Sequence, residues 1–402
     1  MFIEPARFLP LENRLCRYAW GSHSNNGVLP YLAELLSLPD NGDPLAELWM
    51  GAHPSMPSAV QIDGEKIFLD ALIRQFPSEI LGTPCLEAGF QTLPFLMKIL
   101  SCERALSIQC HPDRKTAARL HAQFPDRYPD SNHKPEILLA LTPFETLAGF
   151  RKPADIHDSI TKRSLFREWF EPQRNGDIRS LCQALFALPE KTLQRMVQSA
   201  VDILKDCTDL QARERIFLQL MQEYPGDRGC LFAFLLNHIC LKPGQAIFLP
   251  PGQVHAHLQG TGVECMASSD NVIRAGLTSK NIAPDEFMQV ADFSSTFPLI
   301  QQGNLLPSGR HTYLIPAQEF SLTMLEQAGL DLAKHPETPG ILLILQGKGE
   351  LRNPDGSCLE AIKGSAWLRP AKLKSGTFTP LSDDTRAVWC EASVTNHDDI
   401  SQ

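Results

Sequence analysis

The sequence predicts a mainly β protein with an α-helical insertion, and two patterns indicate this. The 31 prolines and 25 glycines fall mostly between short apolar runs, as they do where many strands are joined by turns. Between residues 151 and 239 the apolar residues recur instead at spacings of three and four, which is typical of helices. Because 402 residues exceed what one hydrophobic core usually holds, about two or three domains are expected.

Strands are predicted on both sides of the helical segment. Residues 94–111 contain two closely spaced apolar runs, and the second alternates its side-chain character as a half-buried strand does. Turn residues separate the later runs from one another. These later runs predict strands at 136–141, 246–249 and on to about 264, 340–345, 347–351 and 364–370.

The helical segment contains two amphipathic stripes. The first consists of Leu193, Met196, Val197, Ala200, Val201 and Leu204, and the second of Ile216, Phe217, Leu220 and Met221. Pro189 suits the start of the first helix, and Thr208 or Asp209 is the predicted cap of the second. We therefore expect an all-helical insertion between two β regions.

The segment Gly244–Gln259 carries the first candidate for chemistry. It contains Gly, five residues, Pro, one residue, Gly, two residues and then His255, and this spacing resembles the second conserved motif of cupin barrels. A tight Pro-Pro-Gly turn between two strands would point His255 into the mouth of a barrel. The Gly-to-Pro spacing recurs at Gly364–Pro370 without a following His, so we expect a second barrel without metal ligands.

A metal site is predicted from residues around the first two strands. Gln109 and His111 are two positions apart in a strand, so both side chains face the same side. Glu136 opens a later strand and could enter the same space, as could His255. Two imidazoles, a carboxylate and an amide oxygen suit zinc, manganese or cobalt.

Several longer segments identify a family. The following segments resemble, in the right order, the signatures of type I mannose-6-phosphate isomerases (phosphomannose isomerases): Tyr18–Ser22, Glu47–Pro54, Ser107–Pro112, Asn132–Glu136 and Glu264–Thr278. The chain departs from the family pattern at His257, where a Tyr is common, and at Ser279, where a Pro is frequent. Because His257 faces the same side as His255, it could bind the metal or point at substrate.

The resemblance implies an activity and assigns roles. It implies one Zn²⁺ per chain, held by Gln109, His111, Glu136 and His255, and an essential Arg274. The reaction would interconvert mannose 6-phosphate and fructose 6-phosphate by proton transfer through an enediolate. The implied fold is two cupin-type jelly-roll barrels plus a helical domain: a catalytic barrel at 1–150 and 240–310, the helical insertion at 151–239, and a C-terminal barrel at 311–402.

Other roles stay open at this point. The candidates for the general base are Glu264, Asp270, His133 and Lys134, with a metal-bound water as a further possibility. Ring opening could use His53 or His133. The candidate phosphate ligands are Ser107, Lys98, Lys134 and Lys280, and Trp20 and Trp49 could line the sugar site.

Composition restricts the partners. The net charge of −9 disfavours nucleic acid or an anionic membrane, so a small sugar phosphate is the expected partner of a monomer. The 11 cysteines are scattered without a C-x-x-C pair, and the N-terminus lacks signal-peptide character, so a cytoplasmic protein is expected. Two alternatives are an iron-dependent cupin dioxygenase, which the same ligands would allow, and a sugar-binding cupin without activity.

Overall fold

Strands lie on both sides of a helical middle region in the computed structural model, which describes residues 6–173 and 176–394. The first five residues, on which part of the localisation prediction depends, lie outside the described residues. The fold is therefore mixed α/β and rich in strands, as the spacing of apolar residues predicts. None of the described helices combines the length and the apolar character needed to cross a bilayer.

The strands before residue 303 surround the helical region in the sequence. They are β1 Leu9–Leu11, β2 Arg14–Cys16, β3 Glu47–Met50, β4 Ala59–Ile62, β5 Glu65–Phe68, β6 Phe95–Cys102, β7 Ile108–Cys110, β8 Glu136–Ala140, β9 Phe144–Phe150, β10 Leu236–Leu241, β11 Ala246–Leu249, β12 His255–Ala267, β13 Ile273–Gly276 and β14 Ile300–Gln301. The predicted strands near 95, 108, 136 and 246 are thus confirmed.

The C-terminal strands follow after residue 303. They are β15 Asn304–Leu305, β16 Arg310–Thr312, β17 Ser321–Glu326, β18 Leu330–Asp331, β19 Gly340–Gln346, β20 Lys348–Arg352, β21 Cys358–Ile362, β22 Ala366–Arg369, β23 Thr377–Pro380 and β24 Arg386–Glu391. The runs predicted at 340–345, 347–351 and 364–370 correspond to β19, β20 and β22.

Helices concentrate in the middle of the chain. They are α1 Tyr31–Leu36, α2 Leu69–Gln75, α3 Pro77–Ile80, α4 Gly82–Glu87, α5 Arg114–Gln123, α6 Pro153–Thr161, α7 Arg167–Phe170, α8 Ile178–Ala187, α9 Glu190–Lys205, α10 Ala212–Glu223, α11 Phe232–Leu235 and α12 Pro284–Val290. The stripe predicted on α9 is buried throughout. The predicted cap of α10 is wrong: Gln211 caps it, and the Glu214 side chain accepts from the Gln211 backbone N–H at 2.7 Å.

The long strand β12 organises the larger sheet. Its first half pairs with β7 and β9, and its second half pairs with β6 and β8. The change of partners coincides with a register shift after His257 and with Gly260, whose φ is +126°. A Cβ at Gly260 would lie 2.6 Å from the Pro143 carbonyl oxygen, so only glycine fits this bend.

The C-terminal sheet packs directly against the larger one. Its strand order is β1-β22-β19-β24-β17-β16-β15, so the early strand β1 belongs to it and not to the larger sheet, which contains β2 and β14 as its ends. One hydrophobic core contains Met97 and Val263 from the larger sheet together with Ile341 and Val388 from the C-terminal one. The buried sulfur atoms of Cys265 and Cys390 lie 3.0 Å apart across this interface.

Candidate metal centre and active-site cavity

Strand pairing brings three of the predicted site residues side by side. Gln109 in β7 is paired with His255 in β12 on one side and with Arg274 in β13 on the other. Residues directly opposite one another in a sheet present their side chains on the same face. The three side chains are therefore neighbours because of sheet register, although 165 residues of sequence separate the first from the last.

His111, Glu136 and His255 form a buried cluster of ligand-type atoms. Glu136 Oε2 lies 3.4 Å from His111 Nε2 and 3.4 Å from His255 Nε2. All three side chains are at most 2% exposed. His111 Nε2 and Glu136 Oε2 have no hydrogen-bond partner, which is costly for buried polar atoms unless a ligand satisfies them.

The orientation of both rings makes this cluster one of acceptors. His111 donates through Nδ1 to the Asn271 carbonyl oxygen at 2.8 Å, and His255 donates through Nδ1 to the Gln253 carbonyl oxygen at 3.0 Å. Each Nε2 therefore carries a lone pair directed at Glu136. Burial lowers the pKa of His111, which favours the neutral ring that metals bind. A set of acceptors with no donor between them fits a cation.

Gln109 completes the set through its side-chain amide. Its Nε2 lies 3.3 Å from His255 Nε2, and its Oε1 accepts from Ser107 Oγ at 3.2 Å. Amide oxygen and nitrogen are assigned by such networks and exchange by a 180° rotation. In the structure the amide nitrogen of Gln109 faces His255 Nε2, which is an acceptor. A cation bound to His255 Nε2 would instead favour the rotated amide, with its oxygen turned toward the cation. Gln109 therefore lies beside the cluster of His111, Glu136 and His255, with its amide group next to His255.

A cavity of about 890 Å³ adjoins the cluster. Among the predicted site residues, the following line it: Trp20, Lys98, Ser107, Gln109, Lys134, Glu136, Glu264, Asp270, Arg274 and Lys280. Its size suits a drug- or metabolite-sized ligand. Burial lowers the pKa of Arg274, yet a guanidinium keeps its proton at neutral pH, so the cavity presents a partly dehydrated positive charge.

Lys98 lies between two carboxylates on the cavity wall. Its Nζ is 3.6 Å from Glu47 Oε1, 3.7 Å from Glu264 Oε2, and 4.2 Å from the centre of the Trp49 ring. Burial alone would lower the pKa of Lys98, but Glu47 and Glu264 outweigh it and raise the pKa. The lysine is therefore held as an ammonium that compensates two buried carboxylates.

Lys134 and Glu136 form a second charged pair in the cavity. Lys134 Nζ lies 3.1 Å from Glu136 Oε1, which leaves Oε2 for the cluster. Burial would raise the pKa of Glu136, whereas a protonated His111 and Lys134 lower it well below its usual value. With His111 neutral, the ammonium of Lys134 is the charge that favours the carboxylate. The carboxylate is thus ionised and available to a metal.

Asp130 accepts hydrogen bonds from the loop after β12 and so holds that loop in place. The sequence does not predict this role. Asn271 donates through its side-chain nitrogen to the Asp130 carbonyl oxygen at 2.8 Å, and Ser269 Oγ donates to Asp130 Oδ1 at 2.8 Å. The Asn271 carbonyl oxygen in turn accepts from His111. Nearby, His53 Nε2 lies 3.2 Å from Asp270 Oδ2, and this hydrogen bond lowers the pKa of Asp270.

His133 is the predicted site residue that the structure directs elsewhere. It does not line the described cavity, and its Nε2 lies 2.7 Å from Glu319 Oε1. Glu319 precedes β17 in the C-terminal region, is fully buried, and also accepts from Arg114 at 2.6 Å. His133 is adjacent to Lys134 in the irregular segment before β8, and its contact with Glu319 holds its side chain outside the cavity.

His257 is the residue for which the sequence allows two roles, as a metal ligand or as a contact for the substrate. It lines the cavity, its Nδ1 lies 3.1 Å from Thr146 Oγ1, and its Nε2 lies 3.7 Å from Glu264 Oε1. It is not part of the group formed by His111, Glu136 and His255, whose ligand atoms lie within 4.8 Å of one another. This geometry favours a role toward substrate or Glu264.

The chain is similar to known proteins over most of its length. Residues 8–153 match the family of the phosphomannose isomerase type I catalytic domain. The probable mannose-6-phosphate isomerase of Echinococcus multilocularis is 36% identical, over 89% of this chain and 92% of the relative; the mannose-6-phosphate isomerase of Bos taurus is 32% identical over the same shares.

Solved structures extend the comparison to the metal. A crystal structure of zinc-bound mannose 6-phosphate isomerase has a TM-score of 0.85 at 27% identity, over 96% of this chain and all of that one. A mutant of phosphomannose isomerase from Salmonella typhimurium has a TM-score of 0.87 at 28% identity over the same shares. The chain belongs to the type I phosphomannose isomerase family.

Proposed function

We infer that this chain is a mannose-6-phosphate isomerase, interconverting mannose 6-phosphate and fructose 6-phosphate, the activity for which its relatives are named. The observation that carries this inference is the buried acceptor cluster beside a cavity that also contains Arg274. Family membership favours this activity over an iron dioxygenase or a sugar-binding protein without turnover.

Zinc is the cofactor that fits the site, at one ion per chain. Gln109, His111, Glu136 and His255 would hold it, since their nitrogen and oxygen atoms are those that zinc prefers. When bound, zinc supplies a Lewis acid that polarises the sugar oxygens at C1 and C2. The second ring nitrogens of His111 and His255 are already fixed by backbone carbonyls, which preorganises both ligands.

Arg274 is proposed as the electrostatic clamp. Moving the carbonyl group from C1 to C2 removes a proton next to it, and negative charge then builds up on oxygen. A preorganised guanidinium in a partly buried site stabilises such a charge strongly, because water screens it little. The pairing of Arg274 with Gln109 across β13 and β7 supports this role, since it would keep the guanidinium beside the proposed metal ligands.

Glu264 and Asp270 remain the candidates for proton transfer. Burial would raise the pKa of Glu264, but its contacts with His257 and Lys98 lower it below the usual value. The carboxylate is thus ionised at neutral pH and able to accept a proton. Asp270, hydrogen-bonded to the buried His53, is suited to the proton exchange of ring opening.

The remaining cavity residues divide into two groups. Ser107 and Lys280 are proposed for the phosphate, since both line the cavity and neither is held between carboxylates. Lys98 is instead proposed to position Glu47 and Glu264, and Lys134 to position Glu136. Trp20 would contribute an apolar wall to the sugar site.

Domain division, assembly and location complete the proposal. We propose that the two large sheets are cupin-type jelly-roll barrels, a catalytic one at 1–150 and 240–310 and a ligand-poor one at 311–402, with the helical domain at 151–239. The membership of β1 in the C-terminal sheet argues for moving that first strand to the second barrel. The pairing of β10 with β9 from Leu236 onward argues for ending the helical domain before that residue. A cytoplasmic monomer is proposed from the scattered cysteines and the resemblance.

The test is formation of fructose 6-phosphate from mannose 6-phosphate, before and after chelation, with metal analysis of the same sample. We expect activity to disappear with the metal and to return on adding one equivalent of zinc. A folded, zinc-loaded sample without isomerase activity would refute the proposal.

A further inference from the structure

A second group of metal-binding side chains lies outside the cavity, on strands β9 and β10. Glu145 in β9 is directly opposite Cys240 in β10, and His238 is two positions before Cys240. All three side chains are therefore on the same face of the sheet. Their ligand atoms lie within 4.8 Å of one another.

This face is the outer one, away from the active site. On β9, Phe144 and Thr146 face inward, since both contact His257 in the cavity wall. Glu145 lies between them and so points to the opposite side of the sheet. On β10 the alternation is the same: Ile239 is buried in the inner core, whereas Cys240 is exposed. The group is thus separated from the catalytic cluster by the sheet itself.

The distance between His238 and Cys240 matches a tetrahedral metal, and the distance between His238 and Glu145 is shorter than such a site requires. His238 Nε2 lies 3.5 Å from Cys240 Sγ and 2.8 Å from Glu145 Oε2. Zinc bonds of about 2.0 Å to nitrogen and oxygen and 2.3 Å to sulfur give ligand separations of roughly 3.5 Å for N and S and 3.3 Å for N and O. A small opening of the His238–Glu145 pair would admit an ion between the three side chains.

We propose that Glu145, His238 and Cys240 form a second binding site for zinc or a similar divalent transition ion. A thiolate, an imidazole and a carboxylate satisfy the preference of zinc for sulfur and nitrogen, and the partial exposure of the group leaves the fourth position to water. The catalytic cluster has no thiolate ligand, so the two sites differ in chemistry as well as in place.

Metal binding at this second site requires the loss of a proton from Cys240. A thiolate ligand forms only when the ion displaces the proton of the Cys240 thiol. The same ion would join β10 to β9 just after the last helix of the middle region, α11, returns the chain to the sheet.

The test uses cobalt, because thiolate ligation gives Co²⁺ a near-ultraviolet charge-transfer absorption that nitrogen and oxygen ligands do not give. Enzyme carrying one equivalent of zinc is titrated with Co²⁺. We expect this absorption to appear and to saturate at one cobalt per chain. Absence of the absorption at saturating cobalt would overturn the proposal.

Two substitutions of exposed cysteines form a matched pair. Cys240→Ser should abolish the absorption, whereas Cys358→Ser, at an exposed cysteine in β21, should leave it unchanged. His238→Ala should weaken cobalt binding by more than the roughly 10–100-fold that loss of a hydrogen-bond partner of a metal ligand costs. An equal absorption in Cys240→Ser and the parent would refute the site.

Isomerase activity keeps this test separate from the catalytic assignment. At one equivalent of zinc, Cys240→Ser should convert mannose 6-phosphate at the parental rate, because none of the three ligands lines the described cavity. Loss of that activity together with loss of the cobalt absorption would mean that Cys240 serves the catalytic sheet, and the proposal of an independent site would be wrong.

Discussion

The larger sheet and the C-terminal sheet each bury a polar cluster, and the two clusters differ in the balance of donors and acceptors. In the larger sheet, His111, Glu136 and His255 direct acceptor atoms at one point. In the C-terminal sheet, the Arg369 guanidinium lies 4.0 Å from Glu391, whose other oxygen contacts His335 at 2.9 Å.

The balance of donors and acceptors separates a buried polar cluster that can bind a metal from one that cannot. The C-terminal cluster contains a cation and an anion, and Arg369 also donates to the carbonyl oxygens of Pro336 and Leu373. Arg369 and Glu391 each leave one buried atom without a hydrogen-bond partner, so the two clusters differ in charge balance and not in complete satisfaction. The catalytic cluster has no donor within it and requires an external cation. The C-terminal cluster therefore balances its own charges. The cluster of His111, Glu136 and His255 favours metal binding, and it lowers the stability of the protein when the metal is absent.

The largest effect is expected from removing a ligand of the acceptor cluster. His255→Ala should lose bound zinc and nearly all isomerase activity, because the remaining groups cannot complete the coordination. The matched control is His257→Ala, two residues further along the same strand, which should keep about one zinc per chain. The measurements are zinc content and turnover of both variants. Loss of zinc from His257→Ala but not from His255→Ala would mean that His257 is the ligand.

A smaller but still large effect is expected at Arg274, which lies beside the cluster without belonging to it. Arg274→Ala should reduce kcat by roughly 10²–10³-fold, the usual cost of losing one preorganised oxyanion donor. Bound zinc should remain near one per chain, measured on the same sample. Normal turnover, or loss of the metal, would contradict the clamp role.

The C-terminal cluster should respond in stability and not in chemistry. Arg369→Ala removes a fully buried side chain and two hydrogen bonds to carbonyl oxygens, so unfolding should become easier by about 3 kcal/mol in urea titrations. Zinc content and kcat of the folded protein should stay at the parental values. A selective loss of zinc would show that the two clusters are coupled.

The smallest effect is expected where the two regions meet, at Glu319. Glu319→Gln weakens the hydrogen bonds to His133 and Arg114 and should cost roughly 1–2 kcal/mol at neutral pH. Glu326→Gln is the control, since Glu326 forms only exposed ion pairs with Arg386 and His311.

The pH dependence of this effect follows from the direction of the shift. Burial would raise the pKa of Glu319, but the hydrogen bond from His133 lowers it below the usual 4.5. Its contribution is therefore complete at neutral pH and is lost as the pH falls below about 4.5 through the lowered value. The free energy of unfolding of Glu319→Gln should fall less steeply there than that of the parent; parallel curves would contradict the assignment.

The sequence could predict what depends on local spacing. Alternation along one strand placed Gln109 and His111 on a common face, and the Pro-Pro-Gly turn favoured His255 over His257. Register between distant strands, such as the pairing of Gln109 with Arg274, has no local signal and became visible only in the fold. His133 was a candidate through its motif, but membership of a motif does not fix the direction of a side chain.

Glu319 and the outer group at Cys240 escaped prediction for the same reason. Glu319 reaches His133 across 186 residues, and Glu145 meets Cys240 only because β9 and β10 pair on either side of the helical region. Both are long-range contacts between residues that are unremarkable in their own segments. Helical periodicity, in contrast, is local, and the stripe on α9 was predicted completely.

The pairing of β1 with β22 has a consequence for synthesis on the ribosome. Leu9 in β1 pairs with Leu368 in β22, so β1 cannot form this pairing until β22 has been synthesised. At about 5–20 residues per second, translation of the intervening chain takes roughly 20–70 s. Throughout that time the nascent protein carries an open strand edge, which is a template for pairing with other chains. This sheet therefore cannot be completed before the residues of β22 have been synthesised.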